Sequence, residues 1–232
     1  MIKTMIMNNS KLITILFLLV CSMSSLKLRA QITEAKIIYE VKMDSDDPMI
    51  SQQLSMMVGS SMTISFKESN FRQDMDMNMM KTTTIHNAKK EQGILLIEMM
   101  GVKKAARIES LINLTKTDSS TTESSGIEIS DETRTISGYE CSKVIVEDST
   151  GMEMIMFVTN ELKANNNQNK YGNSKVKGFP LSIEIEMAQL SMTMTATEVV
   201  PKVKNSVFDT AIPDGYEETS SEELMKMMSG MK

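Results

Sequence analysis

The sequence predicts a mainly β fold: one curved antiparallel sheet, a half-barrel, with two short helices covering its concave face. Three observations predict it. Apolar and polar residues alternate through one segment after another, the connections between these segments are short, and only two segments carry helix start and stop signals. The alternation is unusual in its chemistry, because much of the apolar side is methionine. Met75, Met77 and Met79 form one alternating set, Met152, Met154 and Met156 a second, and Met192 and Met194 a third. In a strand each set falls on one side of the sheet.

The first thirty residues stand apart. Lys3 and Lys11 precede an apolar run from Leu12 to Val20, and small polar residues follow up to Leu28, Arg29 and Ala30. This pattern reads as a secretory signal peptide over 1–30, with one β-rich envelope domain over 31–232. The run of about nine apolar residues falls short of the roughly twenty that a membrane-spanning helix needs, so no transmembrane span is expected. The expected location is periplasmic or secreted. Cys21, at the end of the run, offers lipid anchoring as the alternative.

Removing 1–30 takes away Lys3, Lys11, Lys27 and Arg29 and no acid, so the formal charge moves by four, from −5 to −9. An acidic chain without clustered Lys or Arg is not expected to bind nucleic acid. The same cleavage removes Cys21 and leaves Cys141 alone, which excludes an internal disulfide in the mature chain. Burial must then supply the stability, and about two hundred residues suffice for a single core. With no Trp, 6 Phe and 4 Tyr against 25 Met, flexible thioethers fill space that aromatic rings usually fill.

Along the mature chain, Ile37, Tyr39, Val41 and Met43 alternate with Lys36, Glu40 and Lys42 as a first strand. A helix follows, with Asp47 as N-cap, Pro48 at the first helical position, apolar Met49, Ile50, Leu54, Met57 and Val58, and Gly59 as its stop. Met62, Ile64 and Phe66 resume the strand pattern. Weaker alternation marks strands over 82–86, 93–99, 127–136 and 141–147. Residues 103–114 fit a strand and a short helix equally badly. The polar stretches 115–126 and 163–178 read as surface loops. Leu181, Ile183, Ile185 and Met187, followed closely by 190–196, read as a hairpin. At the C-terminus Ser220 and Glu223 form a capping box that opens a helix at about 220–230, with Leu224, Met225, Met227 and Met228 before Gly230. Roughly nine strands joined by short connections favour an antiparallel meander over crossover helices.

Residues 136–141 (Ile-Ser-Gly-Tyr-Glu-Cys), 152–162, 178–181 (Gly-Phe-Pro-Leu) and 212–216 (Ile-Pro-Asp-Gly-Tyr) carry a resemblance. The chain resembles the uncharacterised secreted domain-of-unknown-function family four-four-one-two, most strongly over about 134–218. It departs from that family at Phe157, where a Trp is frequent. The resemblance implies a curved antiparallel sheet akin to the periplasmic lipoprotein carriers, whose half-barrel cradles acyl chains. It carries no catalytic residues onto this chain.

Enzymatic chemistry is not expected. His86 is the only histidine and reads as a solvated turn residue beside Asn87, while Asp74 and Asp76, or Glu184 and Glu186, read as the wet side of strands. Cys141 reads as a small buried hydrophobe. Phosphate loops and zinc-spaced clusters are missing, and no cofactor is expected. Three readings of the methionines stay open. They fill a core; or Met75, Met77, Met79, Met152, Met154, Met156, Met192 and Met194 line a deformable pocket for a hydrophobic small molecule or lipid; or Met75, Met77, Met79 and Met80 hold Cu(I). For copper, neighbours at i and i+2 stand about 6.6 Å apart along a strand, so their sulfurs must bend toward one point. No feature names a protein partner.

Overall fold

The computed structural model describes residues 31–108, 126–147, 152–164, 176–187 and 189–229. Residues 1–30, read above as a signal peptide, and Cys21 among them lie outside the described residues, as do most of 115–126 and 163–178. Among the described residues no helix is long and apolar enough to cross a membrane.

Twelve strands form one open curved sheet, with two short helices. They are β1 (Glu34–Asp44), β2 (Ser61–Lys67), β3 (Asn70–Asp76), β4 (Met80–Asn87), β5 (Gln92–Met99), β6 (Val102–Ile108), β7 (Gly126–Ile136), β8 (Tyr139–Glu147), β9 (Glu153–Thr159), β10 (Phe179–Met187), β11 (Leu190–Val200) and β12 (Glu217–Glu218). The order across the sheet is β12-β6-β5-β4-β3-β2-β1-β11-β10-β9-β8-β7. Two antiparallel meanders, β2 to β6 and β7 to β11, are thus joined by β1, which pairs with β2 on one side and β11 on the other. The ambiguous stretch that opens at Lys103 is strand β6 up to Ile108, paired residue for residue with β5.

The sheet buries one face along most of its width. Directly paired residues share a face, and across β1 and the first meander Tyr39, Met62, Met75, Thr82 and Ile97 lie in one row, Ile37, Ile64, Gln73, Thr84 and Leu95 in the next. The Phe66 and Phe179 rings, from β2 and β10, meet at 5.2 Å between centroids, which requires the sheet to curl toward this face.

The run Ile94–Ile97 is buried on both faces, as a continuous apolar strand demands. Its outer face is covered by the segment after β11. There Val203 and Phe208 pack on Ile85, Ile94, Leu96 and Ala105. Arg72 Nη1 donates to the Val207 carbonyl at 3.2 Å and Asn87 Nδ2 to that of Phe208 at 3.0 Å, fixing the crossing. The chain then rounds the edge: β12 pairs in parallel with Lys104 and Ala105 of β6, and the Thr219 amide donates to the Ala105 carbonyl at 2.8 Å. An edge strand that would otherwise offer free backbone groups is covered in this way.

Helix α2 (Ser221–Ser229) completes the turn and returns to the main core, where Leu224 is fully buried. Its start is the expected one, the Glu223 amide donating to Ser220 Oγ at 3.2 Å. Helix α1 (Pro48–Leu54) is capped by Asp47, whose Oδ1 accepts from the amides of Met49 at 2.8 Å and Ile50 at 3.4 Å. None of its residues is buried, so α1 sits at the end of the sheet and the covering role falls to α2.

Candidate functional site

The methionines divide into two layers. The inner row runs Val41, Met194, Ile183, Met156, Val144 across β1, β11, β10, β9 and β8. It is sealed: Met194 is 2% exposed and Met156 0%. One strand step further out, toward the end where β1 finishes, runs Met43, Met192, Ile185, Met154, Val146 and Ile127. Every member of this outer row is only partly buried. Of the residues that the sequence placed in a binding face, Met156 and Met194 are therefore core, whereas Met154 and Met192 stand at the mouth of the concave face.

Met75 pairs with Met62 and Thr82 and packs, partly buried, against the core. The alternation predicted through Met77 and Met79 stops there, because β3 ends at Asp76. Asn78 takes a left-handed conformation (φ 61°) and closes a tight turn in which the Met77 amide donates to the Met80 carbonyl at 2.9 Å. Asn and Asp tolerate that conformation better than most residues. The backbones of Met77 and Met80 thus pair across the turn, and Met79 is thrust into solvent. Of the four copper candidates, Met77, Met79 and Met80 are linked through the backbone of this turn, while Met75 stays on β3.

Asn78 does a second job. Its Nδ2 donates to the carbonyls of Met56 at 3.2 Å and Val58 at 2.7 Å, tying this hairpin tip to the connection that follows α1. Beside it lies a depression of about 340 Å³ lined by Asn78, Met79, Lys81, Glu98, Met100 and Gly101. Lys81 bonds to Asp76 at 2.8 Å, and that ammonium holds the Asp76 carboxyl below the usual carboxylate range and is itself raised.

A feature of the whole end emerges from these positions. Met49, Met56, Val58, Met79, Met100, Val102, Met152 and Met187 are exposed, and each sits in or next to a connection at this same end of the sheet. Met100 reaches 80% exposure and Met49 77%. The connections at the other end, 68–69, 88–91 and 137–138, carry Glu68, Ser69, Ala88, Lys89, Lys90, Glu91, Ser137 and Gly138. Alternation within strands could not reveal this concentration. Mapping methionine against strand ends in an up-and-down meander would have.

The remaining candidates resolve as follows. Cys141 is buried, its Sγ 3.6 Å from the Tyr139 carbonyl, and burial pushes the thiol up to about 11, so it stays protonated and inert. Asp74 is a structural ligand for Arg72, which grips both carboxylate oxygens at 2.8 Å, while Thr83 donates to Asp74 at 2.7 Å. Glu184 pairs with Arg134 at 3.2 Å. His86 corrects the expectation of a solvated turn: it lies within β4, between Phe71 and Gly93, partly buried, and its buried Nδ1 has no hydrogen-bond partner among the described residues. Burial lowers its pKa from 6.5. Among the described residues no group of three or more His, Cys, Asp or Glu is placed to hold a metal.

No family model matches the chain, and no curated protein matches it, so membership of family four-four-one-two is not established. Among solved structures the chain is similar to PNGF-II, at 11% identity and a TM-score of 0.44, over 84% of this chain and 32% of that one. It is similar to MucB at 9% identity and a TM-score of 0.38, over 77% of this chain and 57% of MucB. A third neighbour belongs to an uncharacterised domain family: a DUF1329 family protein from Desulfovibrio piger, at 7% identity and a TM-score of 0.31, over 80% and 90%. This chain spans about a third of the length of PNGF-II and somewhat over half that of MucB.

Proposed function

We propose that this chain is an exported, non-enzymatic protein of the cell envelope that takes up a hydrophobic, acyl-type ligand at the methionine-lined mouth of its concave face. The observation that carries the reading is the contrast between the two rows. The inner one, from Val41 to Val144, is sealed, and the outer one, from Met43 to Ile127, offers contiguous apolar surface that is only half withdrawn from water. Methionine suits such a surface because its unbranched, polarizable side chain re-packs around ligands of differing shape. Export is supported by the leader-like residues 1–30, and the resemblance of 134–218 to family four-four-one-two points to the same compartment and ligand class.

The test is uptake of a fluorescent fatty-acid probe. Met154→Glu and Met192→Glu, which place a carboxylate in the partly exposed row, abolish uptake while the melting transition persists. Met79→Glu, in the solvent-exposed turn, leaves it intact. Equal uptake by all three variants, or none by the parent protein, overturns the reading.

A Cu(I) site in 75–80 is the second reading, favoured by the backbone pairing of Met77 and Met80 across their turn. Titration with Cu(I) against a competing chelator tests it. Binding no tighter than micromolar removes it.

A further inference from the structure

The exposed methionines are not spread over the molecule, and their setting is acidic. Counting each connection at the methionine end with two strand residues on either side of it, the described residues hold eight carboxylates and two lysines. Both lysines are already engaged by carboxylates of the same end, Lys81 with Asp76 at 2.8 Å and Lys103 with Glu98 at 3.3 Å. The connection from β1 to β2 supplies Asp44, Asp46 and Asp47 with no basic residue at all.

We infer that this end of the sheet is a docking surface for a basic amphipathic polypeptide segment, its apolar side laid on Met49, Met56, Met79, Met100, Met152 and Met187 and its Lys or Arg side chains set against the surrounding carboxylates. This goes beyond the ligand-binding reading and does not depend on it, since these six exposed residues are distinct from the partly buried outer row. Three arguments favour this occupant. Six exposed methionines gathered at one end of the sheet exceed the singly scattered apolar residues of an ordinary surface. Methionine accommodates helical partners of varied sequence because it conforms to them. The charge is of the sign that attracts a basic chain and repels an anionic lipid surface. The 340 Å³ depression between the β3–β4 and β5–β6 tips has Met79 and Met100 as apolar walls, with Lys81, held by Asp76, and Glu98, held by Lys103, as its charged groups.

The experiment measures binding of the full chain to two synthetic amphipathic peptides of equal length and apolar content, one of Leu and Lys, the other of Leu and Glu, and to phosphatidylglycerol-containing vesicles. The basic peptide binds in the micromolar range, weakens about tenfold or more when salt is raised well above physiological strength, and loses about tenfold when Met56→Glu and Met100→Glu are combined. Asp44→Lys with Asp46→Lys weakens it similarly, and serves alone if the methionine variant fails to fold. The result that overturns the inference is equal binding of the acidic peptide, preference for vesicles, indifference to both pairs of substitutions, or no binding at all. Loss of fatty-acid uptake with peptide binding intact sinks the ligand reading alone, and the converse sinks only this one.

Discussion

The Tyr39 hydroxyl donates a hydrogen bond of 2.8 Å to the Pro180 carbonyl, although β1 and β10 are not neighbours and β11 lies between them. In a flat sheet two strands so related stand about 9.6 Å apart. The bond therefore spans the inside of the curve. It forms where the β9–β10 register shifts between Pro180 and Ser182, and Tyr39 is 1% exposed, so both partners are withdrawn from water. Curvature here is held by a specific polar contact in an otherwise apolar core.

Tyr39→Phe removes the donor and leaves the Pro180 carbonyl buried. Urea unfolding should show a loss of about 1–3 kcal/mol, the cost of an unsatisfied buried group. A variant as stable as the parent would mean that the curve is fixed by packing alone.

The two methionine layers should respond differently to truncation. Met156→Ala and Met194→Ala each open a cavity in the sealed row and cost about 2–5 kcal/mol. Met79→Ala and Met100→Ala, on exposed turns, stay within about 0.5 kcal/mol. Similar losses at all four positions would contradict the layering.

Peroxide offers a second probe of the same geometry. A thioether takes one oxygen from hydrogen peroxide and releases water, at a rate set by access. Peptide mass analysis of a time course should find Met49 and Met100 converted to sulfoxide first and Met62, Met156 and Met194 last. Simultaneous conversion would show that the inner row is open.

His86 gives the protein a pH dependence with a fixed sign. Burial lowers its pKa in the folded state, so the unfolded chain binds the proton more readily. Its contribution is fully present above the unfolded value of 6.5 and is lost as the pH falls from there through the lowered folded value. The melting temperature of the parent should therefore fall below pH 6.5 relative to that of His86→Phe, the two curves running parallel above it. Parallel curves throughout would place the imidazole in water.

Much of this arrangement was legible in the sequence, and the misses have physical causes. Period-two alternation identified β1, β2, β10 and β11, and the Asp47 and Ser220 caps located both helices, because these signals are local. The turn at Asn78 interrupted a methionine alternation that looks strand-like through Met79, since polar Asp and Asn fit a strand's wet face as well as a turn. His86 looked exposed because it stands at the end of the alternating stretch, beside Asn87, and only the pairing with Phe71 and Gly93 places it inside β4. On its other side Gly93 lets β6 approach closely, since a Cβ there would lie 2.5 Å from Ile108 Cγ1. The crossing of 201–216 over the outer face has no periodicity to read. Its hint was the unbroken Ile94–Ile97 run, which demands cover on both sides.

The most direct test of the central claim is native mass spectrometry of the protein gently purified from its own host, beside its Met154→Glu variant. The account predicts a lipid-sized mass on the parent that the variant lacks. A bare polypeptide mass for both would contradict it and leave the outer methionine row as incomplete core.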